Sequence, residues 1–331
     1  MTVYRNAQFG MSGPESSFGT AVTIDRSMPY TNLTGDLVPV DAESEVIDAG
    51  VVARTDSSYR PVKGGSLTYE FEPKASGFGR FFKAALGAGA SNLVSTGLYQ
   101  QNITLGTSQY LDSFDAQACR PMTDGTFEND TYLGCSVNSI EFKIDQAGVL
   151  TGSAEIDVRD MVTNIAKASL SRVTANRFTF AGFTCQTGTL TEPTTTVLGS
   201  ATTNLTDIIS WSMKVENQLV TDDYRGDGTG LKSQPSVLQR KVSGEFEARF
   251  TPAIQALRTN WINNTWFSLL PKFTAGTDVL QFVLSAIRIT EPPTPNMDGQ
   301  IPTLKFSYEA KWNGTATQPP WLCARTADSA L

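Results

Sequence analysis

The amino-acid sequence predicts a mainly antiparallel β protein that consists of two similar halves in tandem, each with one flanking α-helix. Three observations lead to this prediction. Polar and apolar residues alternate along many segments. Only two short segments show helical spacing. The alternating segments and the helical segment follow one another in the same order in each half. The 331 residues suffice for one large or two ordinary domains.

Strict alternation is typical of strands that have one buried and one solvated face. Leu67, Tyr69 and Phe71 share one face of the segment 67–72, and the polar residues between them share the other. The sequence Gln-Ala-Gly at 146–148 predicts a hairpin turn. Alternation predicts further strands at 139–145, 151–159, 209–216, 241–250 and 304–312, and a more apolar strand is predicted at 282–289.

Two segments have apolar residues at the spacing of an amphipathic helix. In the segment 77–86, Ser76 is the predicted N-cap and Gly87 lies just beyond the predicted end. In the segment 252–262, Thr251 is the predicted N-cap and Pro252 the first helical residue. Each helix is expected to cover one face of a sheet.

An internal repeat indicates a duplication. The triplet Glu70-Phe71-Glu72, with its following helix, recurs 175 residues later as Glu245-Phe246-Glu247 with a following helix. The sequence Thr-Asn-Leu-Thr leads into both halves, at 31–34 and at 203–206. We therefore predict a first domain at 41–163 and a second at 164–331. Residues 1–40, which contain glycine and proline and show little periodicity, are interpreted as an extended N-terminal arm of the first domain.

Composition excludes several functional classes. The chain contains no histidine, so the common hydrolytic mechanisms that use imidazole near neutral pH are excluded. The net charge of −7 disfavours tight binding to a phosphate backbone. The four cysteines have no paired spacing and are interpreted as buried structural thiols. The N-terminus lacks the pattern of a secretory signal, and no segment is apolar and long enough for a membrane helix.

No candidate chemistry rises above a structural interpretation. The segment 222–228 is rich in aspartate and glycine, but it lacks the spacing of an EF-hand calcium loop, so a flexible loop is favoured. The carboxylates of Glu70 and Glu72 could serve a glycosidase, yet they are better explained as alternate positions on one exposed strand face. The sequence therefore predicts no catalytic residue, no cofactor and no metal site.

Two stretches resemble phage tail tube proteins. The stretch 132–142, followed by a turn and the sequence Gly-Val-Leu-Thr at 148–151, is similar to a passage common in that family. The sequence Glu-Ser-Ser-Phe-Gly-Thr at 15–20 is similar to the N-terminal arm of the family. The strand and short helix between residues 64 and 87 agree as well. The resemblance implies tandem β-sandwich or barrel domains of the tail tube type, each flanked by a helix.

The resemblance further implies that subunits close into rings, that the rings stack into a hollow tube, and that four strands of each domain line the lumen. The candidate lumen-facing residues are Glu70, Glu72, Glu141, Glu155, Asp157, Glu245, Glu247 and Glu309. The candidate inter-ring loops are 54–64 and 221–239, with the residues Asp56, Tyr59, Asp222, Asp223, Arg225 and Asp227.

The implied role is that of a structural subunit in the tail of a siphovirus-type phage. Three two-domain copies would give a ring with pseudo-sixfold symmetry, and a ring of six copies is the alternative. The expected partners are other copies of the chain, the tape measure protein, the tail terminator and distal tail proteins, and duplex DNA in transit. We expect assembly in the host cytoplasm and no insertion into a membrane.

Two other functions remain open at this point. One is another phage virion protein with a β-sandwich, such as a tail terminator, a decoration protein or an adhesin. The other is a carbohydrate-active enzyme on a β-sandwich, which no placed acid and base pair supports. Rings or tubes of purified protein would distinguish a tube subunit from the first alternative.

Overall fold

The computed structural model describes residues 7–43, 58–297, 301–312 and 321–331, and this part of the chain is mainly β, as predicted. Strands of the first half (residues 1–163) are β1 (Gln8–Pro14), β2 (Ile24–Ser27), β3 (Asn32–Glu43), β4 (Ser58–Phe71), β5 (Gly87–Ser95), β6 (Leu98–Leu105), β7 (Phe114–Pro121), β8 (Phe127–Ile144), β9 (Thr151–Val158) and β10 (Asp160–Val162). Strands of the second half (residues 164–331) are β11 (Phe183–Thr191), β12 (Ser200–Asn204), β13 (Ile208–Glu216), β14 (Lys241–Arg249), β15 (Phe267–Ala275), β16 (Asp278–Ile289), β17 (Pro295–Asn296), β18 (Thr303–Lys311) and β19 (Trp321–Thr326).

The helices are α1 (Gly79–Leu86) and α2 (Pro252–Ile262), with a 3-10 turn at Phe180–Gly182. Neither α-helix in the described ranges combines the length and the hydropathy that crossing a membrane would require. The hairpin predicted at 146–148 joins β8 and β9, and Ala147 adopts a positive φ of 61° in it. All seven predicted strands and both predicted helices correspond to elements of the structure.

An antiparallel sheet of eight strands, here called the central sheet, runs through both halves. Its order is β3-β4-β9-β8-β13-β14-β18-β16, and β17 continues the last edge beside β18. Strands β8 and β13 join the halves, because residues 139–144 pair with residues 211–216. Each half therefore contributes four consecutive strands to one continuous sheet.

The two halves place corresponding strands in the same order. In the first half the order is β3-β4-β9-β8, and in the second half it is β13-β14-β18-β16. In each half a helix follows the second of these strands in the chain. The halves differ after the helix. The β5–β6 hairpin follows α1, whereas a connection of only four residues leads from α2 to β15.

Two further sheets cover the apolar side of the central sheet. One has the order β2-β1-β7-β8-β10, and the other has the order β12-β11-β15-β16-β19-β6-β5. The long strands β8 and β16 belong both to the central sheet and to one of these outer sheets. Strand β8 changes sheets near Gly134, whose φ of 64° favours glycine. The layers are therefore linked by continuous strands.

A single apolar core lies between the layers and extends across both halves. Phe142 of the first half contacts Phe282 of the second, with ring centroids 4.8 Å apart. Trp211 lies 5.0 Å from the same Phe282 ring and is also buried. Aromatic rings at these separations add to the free energy of burial itself. The predicted division at residues 163 and 164 stays a prediction, since the hydrophobic contacts cross it.

The four cysteines are buried and unpaired, which confirms their interpretation as structural thiols. Burial raises the pKa of the Cys323 thiol to about 12. A thiol that stays protonated at physiological pH is a poor nucleophile.

One helix cap was predicted wrongly. Helix α1 begins at Gly79, and Phe78 rather than Ser76 occupies the N-cap position. The Ser76 hydroxyl is instead buried and hydrogen-bonds the Thr326 hydroxyl of the C-terminal strand. At the other end, Gly87 is the C-cap with a φ of 95°. Helix α2 has the predicted Thr251 N-cap and Pro252 at its first position.

The N-terminal segment differs from the extended arm that its composition predicts. Strand β1 pairs with both β2 and β7, and its residues Phe9 and Met11 are buried in the core. The sequence of β1 shows no alternation of polar and apolar residues, because Gly10 and Ser12 on its other face are buried as well. The two Thr-Asn-Leu-Thr motifs also occupy different positions: the first lies at the start of β3, whereas the second spans the end of β12 and the connection to β13.

Candidate functional surface

The central sheet has one polar face. Along β4, Leu67, Tyr69 and Phe71 are buried against the core, whereas Ser66 and Thr68 are exposed on the opposite side. Because strands alternate, cross-strand neighbours lie on the same side of the sheet. We call this side the polar face, and it comprises Ser66, Thr68, Glu70, Ser139, Glu141, Lys143, Ser153, Glu155, Asp157, Ser210, Ser212, Lys214, Glu216, Lys241, Ser243, Glu245, Glu247, Lys305, Ser307 and Glu309.

The structure brings most of the predicted carboxylates together on this face. Those that lie within paired strands of the polar face and are not buried are Glu70, Glu141, Glu155, Glu245, Glu247 and Glu309. Glu72 follows the end of β4, and its carboxylate forms an ion pair with Arg177 at 2.9 Å.

Lysines offset part of the negative charge of the polar face. Lys305 lies 2.7 Å from Glu245 across β14 and β18, and Lys214 lies 2.9 Å from Glu216 along β13. Pairs that are this exposed contribute little to stability, because water and salt screen them. Their main effect is on the surface potential. Carboxylates still outnumber lysines, so the face is moderately negative.

Asp157 departs from the prediction, since it is not accessible on this face. Its side chain is 6% exposed, and the Lys232 ammonium, 10% exposed, lies 2.5 Å from its Oδ1 atom. Lys232 belongs to the segment 221–239, which folds back over the sheet. Burial raises the pKa of the Asp157 carboxyl, and the adjacent ammonium opposes the rise. The ion pair anchors this segment to the sheet.

Glycine makes room for this anchor. A Cβ atom at Gly64 would lie 2.1 Å from Cε of Lys232, which is far inside van der Waals contact. The Lys232 ammonium also lies 3.5 Å from the carbonyl oxygen of Gly65. The two consecutive glycines of β4 thus form the floor of the site that receives the lysine.

The described part of the first predicted loop is strand rather than loop, and it lies beside the second predicted loop. Residues 58–64 belong to β4 and pair with β3, so they are strand rather than loop. Asp56 lies outside the described residues, and Tyr59 on β4 is 54% exposed. The backbone N–H of Lys63 donates to the carbonyl of Gly230 at 3.0 Å. The start of β4 therefore supports the second loop.

The tip of the second loop is exposed and stabilised by local contacts. Arg225 lies 3.3 Å from Asp223, and Asp222 is exposed beside them. The backbone N–H and the hydroxyl of Thr229 both donate to Asp227, which lowers the pKa of that carboxyl. This arrangement is an ordinary Asx-type turn.

No group of three or more Cys, Asp or Glu side chains among the described residues could hold a metal ion.

Glu15 organises a site that the sequence analysis did not identify. Its carboxylate accepts hydrogen bonds from the backbone N–H of Gly19 at 2.7 Å, the hydroxyl of Ser113 at 2.6 Å and the backbone N–H of Gly134 at 2.9 Å. The two stretches 15–20 and 132–142, which carry the family resemblance, therefore meet in space. The sequence showed the two stretches separately, and only the structure shows their contact.

Asp115 lies beside Glu15 in the same site and is fully buried. Its Oδ2 atom accepts a hydrogen bond from the backbone N–H of Val22 at 2.5 Å, whereas Oδ1 has no hydrogen-bond partner among the described residues. Burial and the neighbouring Glu15 carboxylate raise the pKa of Asp115 to about 7. A proton on Asp115 would let it donate to Glu15 and relieve the contact between two carboxylates.

Arg159 connects this site to the loop anchor. Its guanidinium lies 5.4 Å from the centre of the Phe18 ring, and its Nε donates to the backbone carbonyl of Lys232 at 3.2 Å. A Cβ atom at Gly134 would lie 2.8 Å from Cβ of Arg159. Glycine is therefore required at 134 both for its positive φ and for this contact.

We predict that Asp115→Asn flattens the dependence of stability on pH. The wild-type carboxyl keeps its proton up to about pH 7 in the folded state, whereas it loses it near 3.9 when unfolded. Its contribution to the free energy of unfolding should therefore fall by about 1.4 kcal/mol per pH unit between pH 4 and 7 and then level off. Urea unfolding at pH 5 and pH 8 measures the difference.

The asparagine variant should lose less stability over this range than the wild type does. Asp124→Asn is the matched control, because Asp124 is exposed in the turn between β7 and β8. Equal pH dependence in wild type and Asp115→Asn would contradict the raised pKa.

Lys232→Met should destabilise the chain by about 3 kcal/mol, since it leaves the Asp157 carboxylate buried without its partner. The loss should grow as pH rises, because the unpaired carboxyl favours its neutral form. Lys305→Met is the control, and it should cost less than about 1 kcal/mol because its ion pair is exposed. Chemical denaturation provides both values, and equal effects of the two variants would rule out the anchor.

The model of the phage tail tube protein family matches residues 5–319. A search of curated proteins found no significant match.

Proposed function

Because the chain belongs to the phage tail tube protein family, it is a structural component of a phage tail, and we propose that it forms the tube of a long, siphovirus-type tail. The observation that supports this function beyond family membership is the central sheet. Its eight strands form one continuous wall with a polar face on one side. Among the described residues, β3 at one end and Arg288 and Ile289 of β16 at the other pair with a strand on one side only.

In the proposed ring, three copies of the chain close into a cylinder. Within the chain, β8 of the first half pairs with β13 of the second. By the repeated strand order, β16 with β17 at the far end corresponds to β8, and β3 corresponds to β13. Pairing the β16 end of one copy with β3 of the next would repeat the internal junction between copies. Closure would remove both open ends of the central sheet, which is the general solution to edge-to-edge aggregation.

The repeated strand order and helix positions support a duplication of one tube domain, and hence the stoichiometry. A ring of three two-domain copies contains six similar units, whereas a ring of six copies would contain twelve. A rotation that closes generates a ring from identical head-to-tail contacts. Three copies are preferred because the β8–β13 pair inside each chain already forms every second contact between the six similar units.

The polar face would line the lumen, because the other face is covered by the outer sheets and the core. A moderately negative wall repels the phosphates of duplex DNA, and it offers few cations whose binding would release counterions. DNA would then pass without being held. The same channel would contain the tape measure protein before DNA enters, while the terminator and distal tail proteins close its ends after assembly in the host cytoplasm.

Rings would stack through the second loop and the beginning of β4. Residues 225–229 are exposed at the loop tip, and the Lys232–Asp157 ion pair fixes the base of the loop. Tyr59 on the neighbouring strand β4 is exposed as well. A loop held at its base loses less conformational entropy when its tip binds, which favours association.

Electron microscopy of the purified chain tests the proposed function. Rings with a central hole, or tubes made from such rings, are expected at high concentration or after addition of tail initiation complexes. Mass photometry of single rings should give three copies of the 35.8 kDa chain. Rings that never stack would instead indicate a terminator-like role, and a persistent monomer under all these conditions would contradict the proposal.

Deletion of residues 225–229 should permit folding and ring closure but prevent stacking, because the loop base with Lys232 stays intact. Replacement of the same five residues by a Gly-Ser linker of equal length separates reach from specific contacts. Negative-stain images scored for rings and tubes provide the measurement. Normal tubes from the deletion variant would show that the loop does not join the rings.

A further inference from the structure

Inside the chain, the second half covers the C-terminal end of α1. The buried Asn217 side chain, directly after β13, donates to the carbonyl oxygens of Ala85 and Val137, both at 2.8 Å. Arg240, directly before β14, donates to the carbonyl of Leu86 at 2.8 Å. Cationic and amide donors at a helix C-terminus satisfy carbonyls that have no partner within the helix. The junction between the halves thus has two layers, a strand pair and a helix cap.

Within the described ranges, no side chain of the other half caps the corresponding end of α2 in this way. Only Ile254 and Leu257 of α2 are buried, whereas α1 buries Phe81, Phe82 and its last three residues. Ile262, the last residue of α2, is 65% exposed, and Trp266, which follows it, is 41% exposed. Large apolar side chains that cluster at the surface mark interaction sites more often than isolated ones do.

Trp266 lies beside the β16 end of the central sheet. The guanidinium of Arg288 on β16 lies 5.5 Å from the centre of the Trp266 ring. Arg288 is also one of the residues through which β16 pairs with β18 at that end. We call Ile262, Trp266 and Arg288 the α2 patch. The position of the α2 patch relative to β16 corresponds to the position of the covered end of α1 relative to β8.

We propose that the α2 patch binds the first half of a second copy of the chain, at the same contact in which β16 meets β3. This inference rests on the proposed function and extends it from strand pairing to the helical layer. The occupant follows from the chain itself, because the equivalent surface of α1 is covered by the other half next to the equivalent strand. A head-to-tail contact of this kind uses two different surfaces of each copy.

Ile262→Glu tests the proposal, because this exposed side chain is not needed for folding. The variant should have the melting temperature of the wild-type monomer and should form rings at least tenfold less often at the same concentration. Val197→Glu is the matched control, since Val197 is 57% exposed and belongs to the turn between β11 and β12. It should assemble like the wild type.

A mixing experiment excludes simple misfolding. Ile262→Glu keeps its β3 surface, so it should bind to a wild-type copy and then block the next addition. At a constant concentration of wild-type chain, addition of an equal amount of Ile262→Glu should therefore give fewer than half the rings that the wild type gives alone. Addition of an equal amount of Val197→Glu should not. An Ile262→Glu chain that only failed to fold would not inhibit the wild type.

The outcomes separate this inference from the proposed function. Absence of rings from the wild type would contradict the proposed function. Wild-type rings together with normal rings from Ile262→Glu would overturn the α2 patch alone. An equal loss of rings in both glutamate variants would also overturn it, because any added surface charge would then suffice.

Discussion

The open edge of a β-sheet is the constraint on which the rest of this structure depends. Every strand at an edge carries backbone N–H and C=O groups that lack partners, and these groups bind other strands readily. The chain removes some edges internally, through the β8–β13 junction and through outer sheets that share β8 and β16. Among the described residues, the end strands of the central sheet and of both outer sheets pair on one side only. The two ends of the central sheet are the edges that the proposed ring would pair with each other.

A second principle concerns buried charge. Burying an unpaired carboxylate costs several kcal/mol, so each buried acid must have a partner or a proton. Of the buried acids, Asp157 has the Lys232 ammonium and Asp115 has a raised pKa, and the half-buried Glu15 beside Asp115 accepts from three donors. Arg159 joins the first of these sites to the second through Phe18 and the backbone of Lys232. The N-terminal segment, the sheet and the second loop are therefore positioned by one connected set of polar contacts.

The alternation of polar and apolar residues predicted those strands that have one buried and one solvated face. The strands at 67–72, 209–216 and 304–312 show strict alternation because one face of each is dry and the other wet. Strand β1 lacks that signal, since both of its faces are buried and small residues alternate with large ones. Composition alone could not distinguish it from an extended arm.

The polar sites were less predictable, because they depend on contacts between distant residues. Asp157 fits the alternation of β9 and was assigned to the exposed face, but Lys232, 75 positions later, covers it. Ser76 has the residue type and spacing of an N-cap, yet its hydroxyl bonds a strand 250 positions away. The stretches around Glu15 and Gly134 were noticed separately, and only the three-dimensional structure shows that the first binds the second.

The pairing of β19 with β6 links residues 321–326 to residues 99–104. Because a ribosome releases the chain from its N-terminal end, β6 lacks its β19 partner until residues 321–326 have been translated. Strand β16 lacks the same partner along residues 279–283. A nascent chain that has not reached these residues therefore has an incomplete outer layer in both halves.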